Sequence, residues 1–193
     1  LDPVGSTDFN KEVNGAMINK VTVDIPERDV ILATFEGFGK EPVNSSKQTL
    51  TAANTVPFLS AHNIISVDSG GGYSNIADLK TAQFSIDNGM QVFGDMGQFD
   101  IAEPRPGQRR YSVRFPRRFK SSTYWDYLVN GTEIDVKFTW TRTGGQDLAT
   151  FEFKDCRLES ADQSPDIKGV QEEEPILKAK TCQIIFTDSN AVY

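Results

Sequence analysis

The chain is poor in the residues on which most enzymes and metal proteins depend. It has one histidine, His62, and two cysteines, Cys156 and Cys182, in 193 residues. A zinc site needs about four ligands drawn mostly from Cys and His. Three such residues far apart in sequence do not supply them. A Ser-His-Asp or Cys-His arrangement would have to use His62, which has no G-x-S-x-G segment to serve. A P-loop and a G-x-G-x-x-G fingerprint are both absent. The chemistry that leaves short signatures is therefore missing, and neither catalysis, a metal nor a cofactor is expected. No apolar run approaches the ~18 residues of a membrane-spanning helix, and no leader-type apolar segment is visible. Leu1 is not an initiator residue, so a processed or trimmed start, and with it a lost leader, stays open.

What is present is ordinary in bulk and uneven in distribution. Hydrophobic residues make up 38% and charged residues 24%, which excludes disorder, collagen and coiled coil as readings of the whole chain. The length suits one globule able to bury a core without staples. Phe is abundant at 13, against 2 Trp and 3 Met. The net charge is −7, yet one segment opposes it. Arg105, Arg109, Arg110, Arg114, Arg117, Arg118 and Lys120 fall together with no acid among them. A basic stretch with interleaved aromatics can bind nucleic-acid phosphates. The commoner use of such asymmetry is pairing with an acidic surface on a neighbouring copy, with Glu172 to Glu174 as the candidate partner. Arg is also favoured at protein interfaces.

Hydrophobic periodicity predicts strands. Val21, Val23 and Ile25 alternate with Lys20, Thr22 and Asp24, the pattern of a half-buried strand. A turn at Pro26 to Asp29 leads into a second strand from Val30 to Phe38, closing an antiparallel hairpin. Residues 1–14 have no periodicity and read as a flexible arm. Residues 40–58 form a long polar loop, a length that in a compact domain is usually functional. Short strands follow at His62–Val67 and Leu79–Asp87. Ser121 or Ser122 then caps the only helix. Trp125, Leu128 and Val129 are its core face, Tyr124 is a neighbour, and Gly131 ends it. Ile134, Val136, Phe138 and Trp140 alternate with Glu133, Asp135, Lys137, Thr139 and Thr141. A Gly144-Gly145 turn joins this strand to Ala149, Phe151 and Phe153. An acidic loop containing Glu172 to Glu174 precedes a last strand from Ile176 to Thr187. The expected class is mainly β: an antiparallel sandwich or barrel of seven or eight strands with one short α-helix. It is a single domain over residues 15–193.

The order of these elements and their local wording resemble the tail tube proteins of tailed bacterial and archaeal viruses. GAMINKVTVDIPERDVILATFEGFGKEP is similar to the family's opening hairpin and its exit into the long loop. DLKTAQFSIDNGMQVFGDMG is similar to the strand ending in an Asp-Asn turn. RPGQRRYSVRFPRRFKSSTYWDYLVNGTEIDVKFTW is similar to the following segment, helix and strand, and EPILKAKTCQIIFTD to the closing strand. The resemblance spans residues 15–188. It is a pattern of elements, shared by tail terminators, baseplate hubs and secretion-system tubes.

The resemblance implies a β-sandwich flanked by a helix, six copies to a ring, and four strands per copy joined into one closed inner barrel. Rings would stack through loops and termini into a virion tail tube that conducts viral DNA into the host, with nothing catalysed. The partners would be the chain itself, other tail proteins (a sheath if the tail contracts, a terminator, a baseplate) and DNA passing without sequence-specific contact. Assembly in the host cytoplasm would keep thiols reduced and leave Cys156 and Cys182 as small buried hydrophobes. In such a barrel the polar strand faces point into the channel. The first hairpin offers Thr22, Asp24, Thr34 and Glu36, and the second Glu133, Asp135, Lys137, Glu152 and Lys154, an acidic surplus that would repel DNA. The competing class is a sandwich that binds carbohydrate or a host surface, with Tyr73, Tyr124 and Trp125 as stacking candidates. The sequons at Asn44 and Asn130 would suit a secreted version of it.

Overall fold

The computed structural model describes residues 10–12, 16–39, 43–45, 57–93, 103–142, 148–165 and 171–187. The strands are β1 Asn10–Glu12, β2 Met17–Ile25, β3 Leu32–Phe38, β4 Val43–Ser45, β5 Asn63–Asp68, β6 Ser74–Asn75, β7 Ala82–Asp87, β8 Gln91–Phe93, β9 Glu103–Arg105, β10 Arg110–Arg114 and β11 Arg117–Arg118. Helix α1, Thr123–Asn130, is followed by β12 Ile134–Thr141, β13 Leu148–Pro165, β14 Gln171–Ala179 and β15 Thr181–Thr187. Every pairing is antiparallel. The expected fold class is the one observed. The strand number exceeds the expected seven or eight because several are pairs or triplets of residues too short to show periodicity.

One long strand makes the sandwich. The first half of β13 lies between β12 and β15, and its second half pairs with β14. The change falls at Asp155, whose φ is 52°. Its N–H donates to Asp135 Oδ1 at 2.9 Å, holding a left-handed residue that Asp tolerates better than most. The result is two layers. The first runs β3-β2-β7-β10-β14 to the far half of β13, and the second β6-β5-β12 to the near half of β13 and β15. Phe84 on β7 reaches across to Phe138, Phe151 and Phe153 at centroid distances of 5.0, 4.8 and 5.2 Å. These rings, with Val113, Phe115, Ile134, Val136 and Leu177, form the buried centre. The abundance of Phe is spent here, where rings gain most from burial and tilted contact.

Three local readings are corrected. The helix turns a different face inward. Tyr124 is buried, with Tyr127 and Leu128 packed on the core, while Trp125 is 49% and Val129 66% exposed. A rotation of about 100° per residue separates the two faces, and contact with Phe115 (5.7 Å) and with Arg117 selects the one carrying Tyr124. Ser122 does stand at the N-cap, but its hydroxyl donates to Asp126 Oδ2 rather than accepting a backbone N–H. Gly131, at φ 63°, ends the helix as read. The segment with Glu172 to Glu174 is strand and not loop, because each acid meets a basic partner from this same chain. The run 176–187 is two strands, broken at Lys180. Of the arm 1–14 and the loop 40–58, much lies outside the described residues. The described parts include β1 and β4, which pair with each other.

Candidate functional site

The solvent face of the first sheet is built by register. Val23, Ile25, Phe84 and Val113 point into the core, so their strand neighbours point out. Thr22 pairs with Thr34 on one side and Ser85 on the other, and Ser85 pairs with Ser112. Four hydroxyl side chains therefore form a row across β3, β2, β7 and β10. The row on one side of it reads Glu36, Lys20, Asp87, Arg110, alternating in charge. Lys20 Nζ lies 3.9 Å from Glu36 Oε1. The row on the other side reads Leu32, Asp24, Gln83, Arg114, with Gln83 Nε2 donating to Asp24 Oδ1 at 2.5 Å. On these three rows the acids Asp24, Glu36 and Asp87 are matched by Lys20, Arg110 and Arg114.

The second polar group lies elsewhere. Val136, Phe138 and Phe153 face the same core from the opposite layer, so Lys137, Asp135, Glu152 and Lys154 project from the far side of the sandwich. All of them are engaged. Tyr73 Oη donates to Glu152 Oε1 at 2.6 Å, and Lys137 Nζ sits 3.8 Å over the Tyr73 ring. Lys154 Nζ is 3.6 Å from Glu152. Asp135 holds the β13 bend. Lys180 and Arg157 donate to Glu133 Oε1 at 2.9 and 2.8 Å and keep its carboxyl below the usual carboxylate range. The structure thus brings Thr22, Asp24, Thr34 and Glu36 together on one face. It places Glu133, Asp135, Lys137, Glu152 and Lys154 on the opposite one.

The strands of the first sheet also extend past its body at one end. β1 and β4 continue the β2–β3 hairpin, and β8 and β9 continue the β7–β10 hairpin. The second arm is pinched at its base. Gly107 N–H donates to Asn88 O, and a Cβ on Gly89 would sit 2.6 Å from Gln108 O at a φ of +56°. Asn88 Nδ2 donates to Ile18 O, and Met90 N–H donates to Asn19 Oδ1, so the arm is tied to β2.

Part of the basic segment is neutralised within the chain. β11 pairs with β14 so that Arg117 faces Glu173 and Arg118 faces Glu172. Arg117 Nε lies 3.1 Å from Glu173 Oε1, with side chains 13% and 1% exposed. Burial raises the Glu173 pKa and the Arg117 charge lowers it, with a net rise. Glu172 pairs with Lys80, Glu174 with Arg114, and Asp78 with Lys120. Arg109 and Arg110 have no ion-pair partner among the described residues.

A polar, outward-facing wall and projecting arms describe a building block. Among the described residues no three His, Cys, Asp or Glu side chains gather as a metal site. The sequence profile of the phage tail tube protein family matches residues 2–180. The chain belongs to the phage tail tube protein family. It is a structural protein of the virion tail, and its fold recurs in solved tail assemblies. It is 14% identical to a chain of the SPP1 tail tube, covering 69% of this chain and 82% of that one, with a TM-score of 0.53. It is 18% identical to a chain of an extracellular contractile injection system sheath-tube complex, covering 67% and 91%, with a TM-score of 0.50. It is 8% identical to a chain of the anti-feeding prophage baseplate, covering 72% and 99%, with a TM-score of 0.50. At these identities the likeness is one of fold. No curated protein sequence matches.

Apart from Trp125, the remaining singled-out residues of this tail tube family member have structural surroundings that account for them. His62 closes a 3-10 turn and accepts the Leu59 N–H on Nδ1 at 3.2 Å. Of the stacking candidates, Tyr73 is occupied by Lys137 and Glu152 and Tyr124 is buried, while Trp125 is exposed. Cys156 and Cys182 are free thiols standing opposite Ile134 and Phe153, not opposite each other. Burial pushes their pKa values up to about 12 and about 11. Thiolate is the reactive form, and an ordinary thiol ionises near pH 8.5. Alkylation at pH 8 is therefore expected to be roughly two orders of magnitude slower in the native protein than in urea. Equal rates in a timed iodoacetamide assay would contradict the packing around them. Sequence reasoning missed Ser85, Ser112, Lys20 and Asp87 as wall residues. The alternation Gln83, Ser85, Asp87 was a usable signal for β7, but Ser112 was hidden in a segment that reads as a charge run.

Proposed function

We propose that six copies of this chain close into a ring and that rings stack into the hollow tube through which viral DNA passes into the host cell. The observation that carries this reading is the four-strand wall of β3, β2, β7 and β10, polar on its outer face and ending at an open edge. Edge strand β3 leaves Leu32 and Phe35 exposed. An unpaired apolar edge promotes association, and closure into a barrel removes it.

A channel receives one wall from each copy, so only one outer face of the sandwich lines it. The first sheet is the better wall. Its charges balance along the rows and its centre is a line of small hydroxyls, whereas the polar groups of the second sheet are tied up beneath and beside Tyr73. Thr22, Asp24, Thr34 and Glu36 then line the lumen together with Ser85 and Ser112. Glu133, Asp135, Lys137, Glu152 and Lys154 face the outside of the tube. Duplex DNA carries about one charge per 1.7 Å of axis. A basic lining would hold it, and a neutral hydroxyl lining lets it slide over its own hydration layer. In this reading the first hairpin alone lines the lumen, whereas the sum of both hairpins gives an acidic one.

The N-terminal arm and the loop 40–58, whose described strands β1 and β4 form one ribbon, act in stacking in this reading. Arg109, beside the wall and without an ion-pair partner among the described residues, faces a neighbouring copy. A sheath, a terminator and a baseplate are the partners that a tail tube meets in a virion assembled in the host cytoplasm. The sheath-tube and baseplate context of the similar structures supports them. Electron microscopy of the purified chain tests the proposal directly: hollow six-fold rings or tubes are expected, and a sample of single particles at high concentration would end it.

A further inference from the structure

The sandwich has two unlike flanks. On one of them core-facing side chains lack a cover. Phe35 on edge strand β3 pairs with Val21 and so points to the core side of the first sheet, yet it is 61% exposed. On edge strand β15, Phe186 continues the row Trp140, Ala149, Phe186 on the core side of the second sheet, yet it is 69% exposed. Phe58 ties that row to the β3 side. Its ring lies 5.8 Å from Trp140, and its carbonyl accepts the N–H of Ile31, one residue before β3. The other flank is closed by the helix. α1 packs on β13, and its Tyr124 meets Phe115 and Arg117 beside β14, at the end of the first sheet away from β3. Tyr124 and Leu128 join the core there. The adjoining face of α1 presents Trp125 and Val129, one turn apart and both exposed.

We propose that Trp125 and Val129 of α1 dock on Phe35 and Phe186 of a second copy of this chain, its neighbour in the same ring. The inference rests on the ring reading above and names the side chains of its side-to-side contact. Three observations carry it. With β3, β2, β7 and β10 lining the channel, rotation about the channel axis sets the α1 flank of each copy against the β3 flank of the next. Both flanks offer apolar surface: Phe186, Val129 and Phe35 are the most exposed large hydrophobic side chains among the described residues, and burial of such surface drives association. Within one chain a helix already covers the β13–β14 end of the first sheet, while the β3 end has no such cover until a neighbour's helix supplies it. Contact between unlike flanks is heterologous, and it ends in a ring when the rotation closes. Trp is also among the residues most enriched at the contacts that carry binding energy.

Fluorescence tests this on the unmodified chain. Of the two tryptophans, Trp140 is buried and Trp125 is exposed, so iodide quenches chiefly Trp125 in the dilute monomer. Ring formation is expected to cut that quenching roughly threefold, because docked anchor residues are shielded from water. Two variants then test the pairing. Trp125→Ser with Val129→Ser removes the helix stripe, and Phe35→Ser with Phe186→Ser removes the surface it meets. Each is expected to raise the concentration needed for rings roughly tenfold or more. Mixed one to one, the two variants are expected to stop at dimers, since the intact helix of one docks on the intact β3 flank of the other and no further contact remains. Sedimentation counts the species. Rings that leave Trp125 as open to iodide as in the monomer overturn the assignment, as do normal rings from either variant or a mixture without dimers. A helix variant that dimerises alone overturns it too, by showing that the β3 flank pairs with itself. Absence of rings from the unmodified chain is a separate result that fails the ring reading itself.

Discussion

Arg117→Ala is expected to destabilise the folded chain by about 3–5 kcal/mol at neutral pH, the cost of leaving one member of a buried ion pair without its partner. Arg117 joins three elements. Its guanidinium lies 3.1 Å from Glu173 on β14 and 5.2 Å over the ring of Tyr124 on α1, and β11 carries it. Without it, Glu173 is a carboxylate in the core with no counter-charge. Glu173 already has a raised pKa because burial disfavours its charged form. A carboxyl whose folded pKa lies above its unfolded value binds its proton more tightly in the folded state. It weakens the fold as pH rises past the unfolded value. In Arg117→Ala that rise is larger, so the loss of stability should shrink as pH falls through the carboxylate range and the group protonates. Urea unfolding at a series of pH values measures both. A second variant, Arg117→Met with Glu173→Leu, removes the whole pair and should recover most of the lost stability. An Arg117→Ala deficit under about 1 kcal/mol, the range of exposed pairs, would show that the pair is solvated.

The other large effect concerns the channel. Thr22→Lys, Ser85→Lys and Ser112→Lys together convert the hydroxyl row into a basic row, adding three charges per copy to the wall. These side chains face away from the core, and no apolar packing is removed. Tubes are expected to assemble, while genome delivery per assembled particle falls by roughly tenfold or more as phosphates gain cationic partners. Raising salt should relieve the defect, since screening shortens the reach of the added charges. Thr139→Lys with Thr150→Lys, a cross-strand pair on the polar face of the second sheet, is the matched control and should leave delivery near normal. A block from the control and none from the triple change would assign the lumen to the second sheet.

Sequence by itself determined the β class, because burial of one strand face imposes a period of two that survives in Ile134 to Trp140 and in Ala149 to Phe153. It determined the helix and its end at Gly131, where a left-handed residue is needed and Gly supplies it without strain. It also determined the family pattern, which is an order of elements and needs no contact to be seen. Tertiary structure alone decided what the charges do. Glu172 to Glu174 read as a loop meeting a neighbouring copy because their partners Lys80, Arg117 and Arg114 come from distant segments of the same chain, and ion pairing is a matter of distance in space. It alone decided the helix face, where Phe115 and Arg117 draw in Tyr124 and leave Trp125 outside. It alone separated the two polar groups, since alternation says that Asp24 and Asp135 both point outward but not that their sheets lie back to back. The hydroxyl row Thr34, Thr22, Ser85, Ser112 depends on register between strands, which is set by hydrogen bonding between segments far apart in sequence.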